Sequence, residues 1–113
     1  MIPKRTIKKF KSRNGEVPLP VFFPDATKAV IRTLDSSDIE STKTPGILVN
    51  TYHLYKDLGK KVVEEHDGIR QFMSWKGALI SDSGGFQVMS LAKRSEKRGS
   101  ITDNGVTFRL LGR

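Results

Sequence analysis

Three short apolar runs limit what this chain can fold into. Val21-Phe22-Phe23, Ile47-Leu48-Val49 and Ala78-Leu79-Ile80 are apolar on consecutive residues, not on alternate ones. Runs of that kind suit strands buried on both faces, the habit of parallel sheets. The stretches between them have helical character. Asp35 or Ser36 can cap a short helix over 36–43, which Pro45-Gly46 breaks. Over 56–66, Leu58, Val62 and Val63 share a face opposite lysines and glutamates, and Asp67-Gly68 ends that helix. Ile69, Phe72 and Met73 follow at helical spacing as core positions, and Trp75-Lys76-Gly77 turns into the third run. The order strand, helix, strand, helix, strand predicts βαβ units and a parallel sheet.

The flanks read differently. Lys4, Arg5, Lys8, Lys9, Lys11 and Arg13 precede the turn signal Asn14-Gly15. Residues 6–23 are therefore expected to form a basic hairpin leading into the buried strand Val21-Phe22-Phe23, with Pro18 and Pro20 favouring an edge position. Lys93, Arg94, Lys97 and Arg98 form a second basic run. Ile101-Thr102 and Val106-Thr107-Phe108 then flank Asp103-Asn104-Gly105 as a second hairpin. The organisation expected is one partial domain over 1–113. It comprises a basic hairpin and first strand (1–23), βα units (24–91), and a basic segment with a hairpin (92–113).

A net charge of +8 suits a polyanionic partner. The chain has no cysteine, which excludes disulfides and thiolate metal sites within it. No apolar run reaches the roughly 18–20 residues of a membrane span, so the cytoplasm is the expected compartment. His53 reads as a packed or hydrogen-bonded strand-end histidine and His66 as solvated; the two give no metal-ligand spacing.

The chemistry concentrates in Asp82-Ser83-Gly84-Gly85-Phe86-Gln87, where the third run ends. Glycines let backbone approach a ligand closely. Asp82 can accept protons or hydrogen bonds, Phe86 can stack on a flat ring, and Gln87 can donate and accept. These residues suit a planar, nitrogen-rich base.

Five blocks in this order resemble the N-terminal part of the tRNA-guanine transglycosylases, the queuine tRNA-ribosyltransferase family. They are Pro20 to Pro24, Asn50-Thr51-Tyr52-His53-Leu54, Phe72-Met73 with Trp75, Ser81 to Val88, and Ile101-Thr102 with Gly105 to Arg109. The resemblance implies exchange of wobble-position guanine in tRNA for a 7-deazaguanine base, queuine or its precursor. It implies an α/β fold: an N-terminal antiparallel sheet, then a TIM (β/α)8 barrel. It makes Asp82 the proton-accepting, base-binding aspartate. Asp82 to Phe86 become the substrate-binding stretch, with Phe86 stacking on the base and Gln87 supporting Asp82. tRNA and a guanine or 7-deazaguanine base are the implied partners.

A (β/α)8 barrel takes about 250 residues. The 113 residues here are expected to supply the sheet and about the first three βα units, an incomplete barrel. The family's nucleophilic aspartate and its zinc ligands would lie further along; no cofactor is expected within this chain. Leu110-Leu111 departs from the family's continuation, a serine-containing turn and an Asp-Gly. The chain therefore reads as a truncated, split or fragmentary product, inactive alone, needing a separate C-terminal half or a homodimer partner. Three other readings are open to the sequence: a trypsin-like site with Ser83 as nucleophile and His53 as base, a non-catalytic basic RNA-binding module, and a nonfunctional fragment.

Overall fold

The computed structural model describes residues 6–94 and 98–110. Lys4, Arg5 and Lys97 of the basic runs, and Leu111 to Arg113, lie outside the described residues. The chain opens with an antiparallel hairpin of β1 (Lys9–Ser12) and β2 (Gly15–Pro18). Arg13 and Asn14 form its turn, and Gly15, at φ 115°, starts the return strand. It is tied down by side chains from far along the chain. Arg70 donates to the Asn14 Oδ1 at 2.5 Å and to the Lys76 carbonyl at 2.7 Å. Phe10 packs on Phe23, with ring centroids 6.3 Å apart.

Val21-Phe22-Phe23 does not form the buried strand expected of it. Phe22 is 79% exposed, and pairing in this segment reduces to one parallel bridge, Asp25 with Leu48. Pro24 accepts from the Leu48 N–H at 3.0 Å, and the Ala26 N–H donates to the Leu48 carbonyl at 2.6 Å. Pro20 and Pro24 have no N–H to extend a ladder, so the contact stays at that point.

α1 (Ser36–Ser41) starts at a capping box. The Asp35 carboxylate accepts the Asp38 N–H at 2.8 Å, and the Asp38 carboxylate accepts the Asp35 N–H at 3.1 Å. The central pair follows: β3 (Gly46–Asn50) runs parallel to β4 (Ala78–Asp82), with Ile47 opposite Leu79 and Asn50 opposite Asp82. A helical crossover joins them, as parallel strands require. It does not have the single helix over 56–66 that periodicity suggests. α2 (Thr51–His53) begins directly at the strand end and runs into a π-helical turn, Leu54–Leu58. Gly59, at φ 84°, interrupts the path before α3 (Lys60–Glu65) and α4 (Ile69–Phe72). Only glycine takes that conformation without strain, so the helix divides there.

Alternate positions of β3 and β4 point to opposite faces. Ile47 and Val49 are fully buried on one face, with Ala26, Ile39 and Trp75; Ile31, Leu54, Met73 and Leu79 pack around them. Leu48, Asn50, Ile80 and Asp82 take the other face. There the expectation of strands buried on both sides fails: Ile80 is 44% exposed. The described sheet supplies one covering layer, so only one face has a core.

α5 (Gly85–Arg94) follows β4, and β5 (Gly99–Thr102) pairs antiparallel with β6 (Gly105–Phe108) as the second hairpin. Phe108 wedges against Tyr52 and Tyr55, at centroid distances of 5.7 and 6.1 Å. The whole is a mixed α/β arrangement, and no helix among the described residues is long and apolar enough to cross a membrane.

Trp75 closes the core: it is 3% exposed and its indole N–H donates to the Ala78 carbonyl at 2.9 Å. Trp75→Ala should cost about 3–5 kcal/mol, read as a lowered urea midpoint. Trp75→Phe should fall between that variant and the parent, because it keeps a ring but leaves the carbonyl without its donor.

Candidate base-binding site

The parallel register brings the site together. With Asn50 opposite Asp82, both side chains stand on the sheet face away from the core, at the C-terminal ends of their strands. Open α/β sheets bind ligands at this edge. A cavity of about 210 Å³ lies there, lined by Asp25, Thr27, Leu48, Val49, Asn50, His53, Asp82 and Gln87. The lining carries two carboxylates and neither lysine nor arginine, although the chain as a whole is strongly basic. A small, donor-rich ligand fits that chemistry.

Asn50 organises the cavity. It is 6% exposed, the one buried polar side chain among the described residues. Its Oδ1 accepts the His53 N–H at 3.2 Å, capping α2. That bond turns the amide nitrogen the other way, to 3.2 Å from Asp82 Oδ2 and 3.5 Å from Gln87 Oε1. Asp82 Oδ1 accepts the Gly84 N–H at 3.1 Å. Each oxygen of Asp82 therefore has a fixed donor, and the carboxylate is held at the cavity wall. Gln87, one turn into α5, approaches the same amide, consistent with support for Asp82.

The residues read from the sequence as binding divide into two groups. Asp82 and Gln87 line the cavity. Ser83, Gly84, Gly85 and Phe86 shape the turn from β4 into α5. The Ser83 hydroxyl accepts the Gly85 N–H at 3.2 Å. Phe86 is 73% exposed and is not part of the cavity lining. Gly84 is buried at φ 74°. A Cβ there would sit 2.4 Å from Tyr52 Cβ, 3.0 Å from the Tyr52 nitrogen and 3.2 Å from Asn50 Oδ1. At Gly85 the nearest atom to such a Cβ is Ser83 Oγ, at an ordinary 3.4 Å.

Asp25, Thr27 and His53 join the lining without having been singled out as site residues. His53 lies on α2, past the strand end, with Nδ1 3.7 Å from Asp57 Oδ2. Lys28 reaches the same Asp57 oxygen at 3.4 Å. Asp25, like Asp82, lies two positions past an apolar run, but its place beside the cavity depends on the bridge to Leu48. Exposed His66 sends Nδ1 to within 2.8 Å of the Val62 carbonyl. No group of three or more His, Cys, Asp or Glu among the described residues could hold a metal ion, so these residues do not fit zinc and no chemistry is routed through it.

The fold is thus a mixed α/β unit with an acid-lined cavity at the ends of its parallel strands, behind a glycine turn. The family model described as queuine tRNA-ribosyltransferase matches residues 4–113. The chain is 41% identical over 101 residues to the queuine tRNA-ribosyltransferase of Natranaerobius thermophilus, covering 89% of this chain and 26% of that protein. It is 45% identical over 95 residues to the protein of that name from Symbiobacterium thermophilum, covering 84% of this chain and 23% of the relative. With a relative from Prochlorococcus marinus it shares 42% over 100 residues, 88% of this chain and 26% of the relative. The chain belongs to the queuine tRNA-ribosyltransferase family. It spans about a quarter of the length of these curated relatives.

Gly84→Ala combines positive φ with a backbone clash and should destabilise the fold by about 2 kcal/mol or more. Gly85→Ala should leave the melting temperature within a few degrees of the parent; calorimetry of both variants checks the contrast. Asn50→Asp keeps the oxygen that caps α2 but sets a second carboxylate beside Asp82 at a position only 6% exposed, so its urea midpoint at neutral pH should fall below that of the parent.

Proposed function

We propose that this chain supplies the base-binding wall of a tRNA-guanine transglycosylase, which exchanges a guanine of tRNA for a 7-deazaguanine base. The observation that carries the reading is the doubly held Asp82 in a cavity of about 210 Å³, within a family match over residues 4–113. The three parallel passes at Asp25, β3 and β4 are then the first staves of a (β/α)8 barrel, whose sites sit at the C-terminal strand ends.

In this reading the chain supplies the proton-handling carboxylate and not the nucleophile. A carboxylate from the rest of the protein attacks the ribose anomeric carbon; the carbon–nitrogen bond breaks and its electron pair leaves with guanine. The departing base gains a proton at a ring nitrogen, and the incoming base loses one as it attacks in turn. Asp82 handles that proton at hydrogen-bond range. The Gly84 N–H and the Asn50 amide keep its oxygens aimed into the cavity. Phe86, exposed on the first turn of α5, is the aromatic assigned to stack on the base. tRNA is the partner that suits a chain of net charge +8, and the cytoplasm its compartment. The remaining barrel strands come from further polypeptide, in the same protein or in a partner.

The test is a chimera in which this segment replaces the matching quarter of the Natranaerobius thermophilus relative. Labelled guanine should enter tRNA with the chimera, and Asp82→Asn should lower kcat/KM by about 10²-fold or more. Exchange within twofold of the parent in that variant would sink the reading. tRNA binding by the 113-residue chain with no exchange by the chimera would favour the non-catalytic RNA-binding module instead.

A further inference from the structure

Asp25 stands on the opposite side of Asn50 from Asp82. It is bridged to Leu48 on β3, and β3 is paired to β4 with Leu48 opposite Ile80. Residues aligned across parallel neighbours point to the same face, so Asp25, Leu48, Asn50 and Asp82 share the sheet face that bears the cavity. Two strand spacings across the sheet and two residues along it separate the Asp25 and Asp82 backbones, about 12 Å. A flat base spans only part of that distance; a base joined to its sugar spans it.

Asp25 and Thr27 also line a second cavity, of about 670 Å³, with Lys28, Val30, Ile31 and Arg32. The two cavities therefore share this carboxylate and hydroxyl in their linings. Going outward from Asp82, the chemistry runs acid and amide, then carboxylate and hydroxyl, then ammonium and guanidinium. A nucleotide has the same order: base, sugar, phosphate. The Thr27 hydroxyl donates to Asp25 Oδ1, which orients the carboxylate on a backbone already fixed by the bonds flanking Leu48.

We propose that Asp25 is a further substrate-contacting residue that accepts a hydrogen bond from a ribose hydroxyl of the nucleotide whose base lies at Asp82. The inference rests on the base-binding reading above and adds to it a means of recognising the sugar. A hydroxyl donating to a carboxylate makes one of the stronger neutral-to-ion hydrogen bonds, and a sugar without hydroxyls leaves that carboxylate without its donor.

The test is nuclear magnetic resonance titration of the full chain with guanine, guanosine and 2′,3′-dideoxyguanosine. The parent chain should bind guanosine about tenfold more tightly than the dideoxy analogue. Asp25→Ala should bring that ratio close to one. Asp25→Asn, which keeps the size and loses the charge, should lower it. Asp82→Ala should weaken all three ligands. A parent ratio near one, or a ratio retained in both Asp25 variants while guanine still binds, overturns the sugar contact and leaves the base site standing. A parent chain that binds none of the three overturns the base site, and this inference with it.

Discussion

The pairing of Asn50 with Asp82 across two parallel strands is the constraint on which the rest depends. A shift of one residue would send both side chains into the apolar layer and bring Val49 and Ser81 to the ligand face. What prevents it is the other face, where Ile47 and Val49 fill a closed layer with Ile39 and Trp75. The site is therefore specified in large part by residues outside it; of these four only Val49 also lines the cavity. The apolar half of each strand fixes the register, and the register sets the polar half.

Legibility in the sequence followed the range of the forces involved. The helix cap at Asp35 or Ser36, both hairpins and the strand ends at Asn50 and Asp82 depend on neighbours a few residues apart and are legible in the sequence; the reciprocal Asp38 bond that makes a capping box is seen only in the structure. The first apolar run was not, because its fate depends on prolines that limit ladder pairing and on the single bridge to Leu48. The helix over 56–66 was misplaced for a related reason. Helical spacing persists across Gly59, while the backbone there leaves the helix at φ 84°.

The candidate site divides along the same line. Asp82 and its glycine turn are contiguous and could be recognised as a motif. The role of Asn50 required knowing that one amide caps a helix with its oxygen and steadies a carboxylate with its nitrogen. Asp25 and Thr27 enter only when a third pass of chain is laid beside β3. The two glycines also proved unequal: Gly84 is demanded by crowding and by φ, whereas Gly85 has room beyond its Cα.

Tyr52 is gripped from two sides. Gly84 presses its backbone against the Tyr52 Cβ, and Phe108 rests on the Tyr52 ring from the distant second hairpin. The glycine turn that orients Asp82 thus shares a rigid lever with a hairpin some twenty residues further along the sequence. The turn that brings the Gly84 N–H to Asp82 is packed, through one tyrosine, against a hairpin that lies outside the cavity.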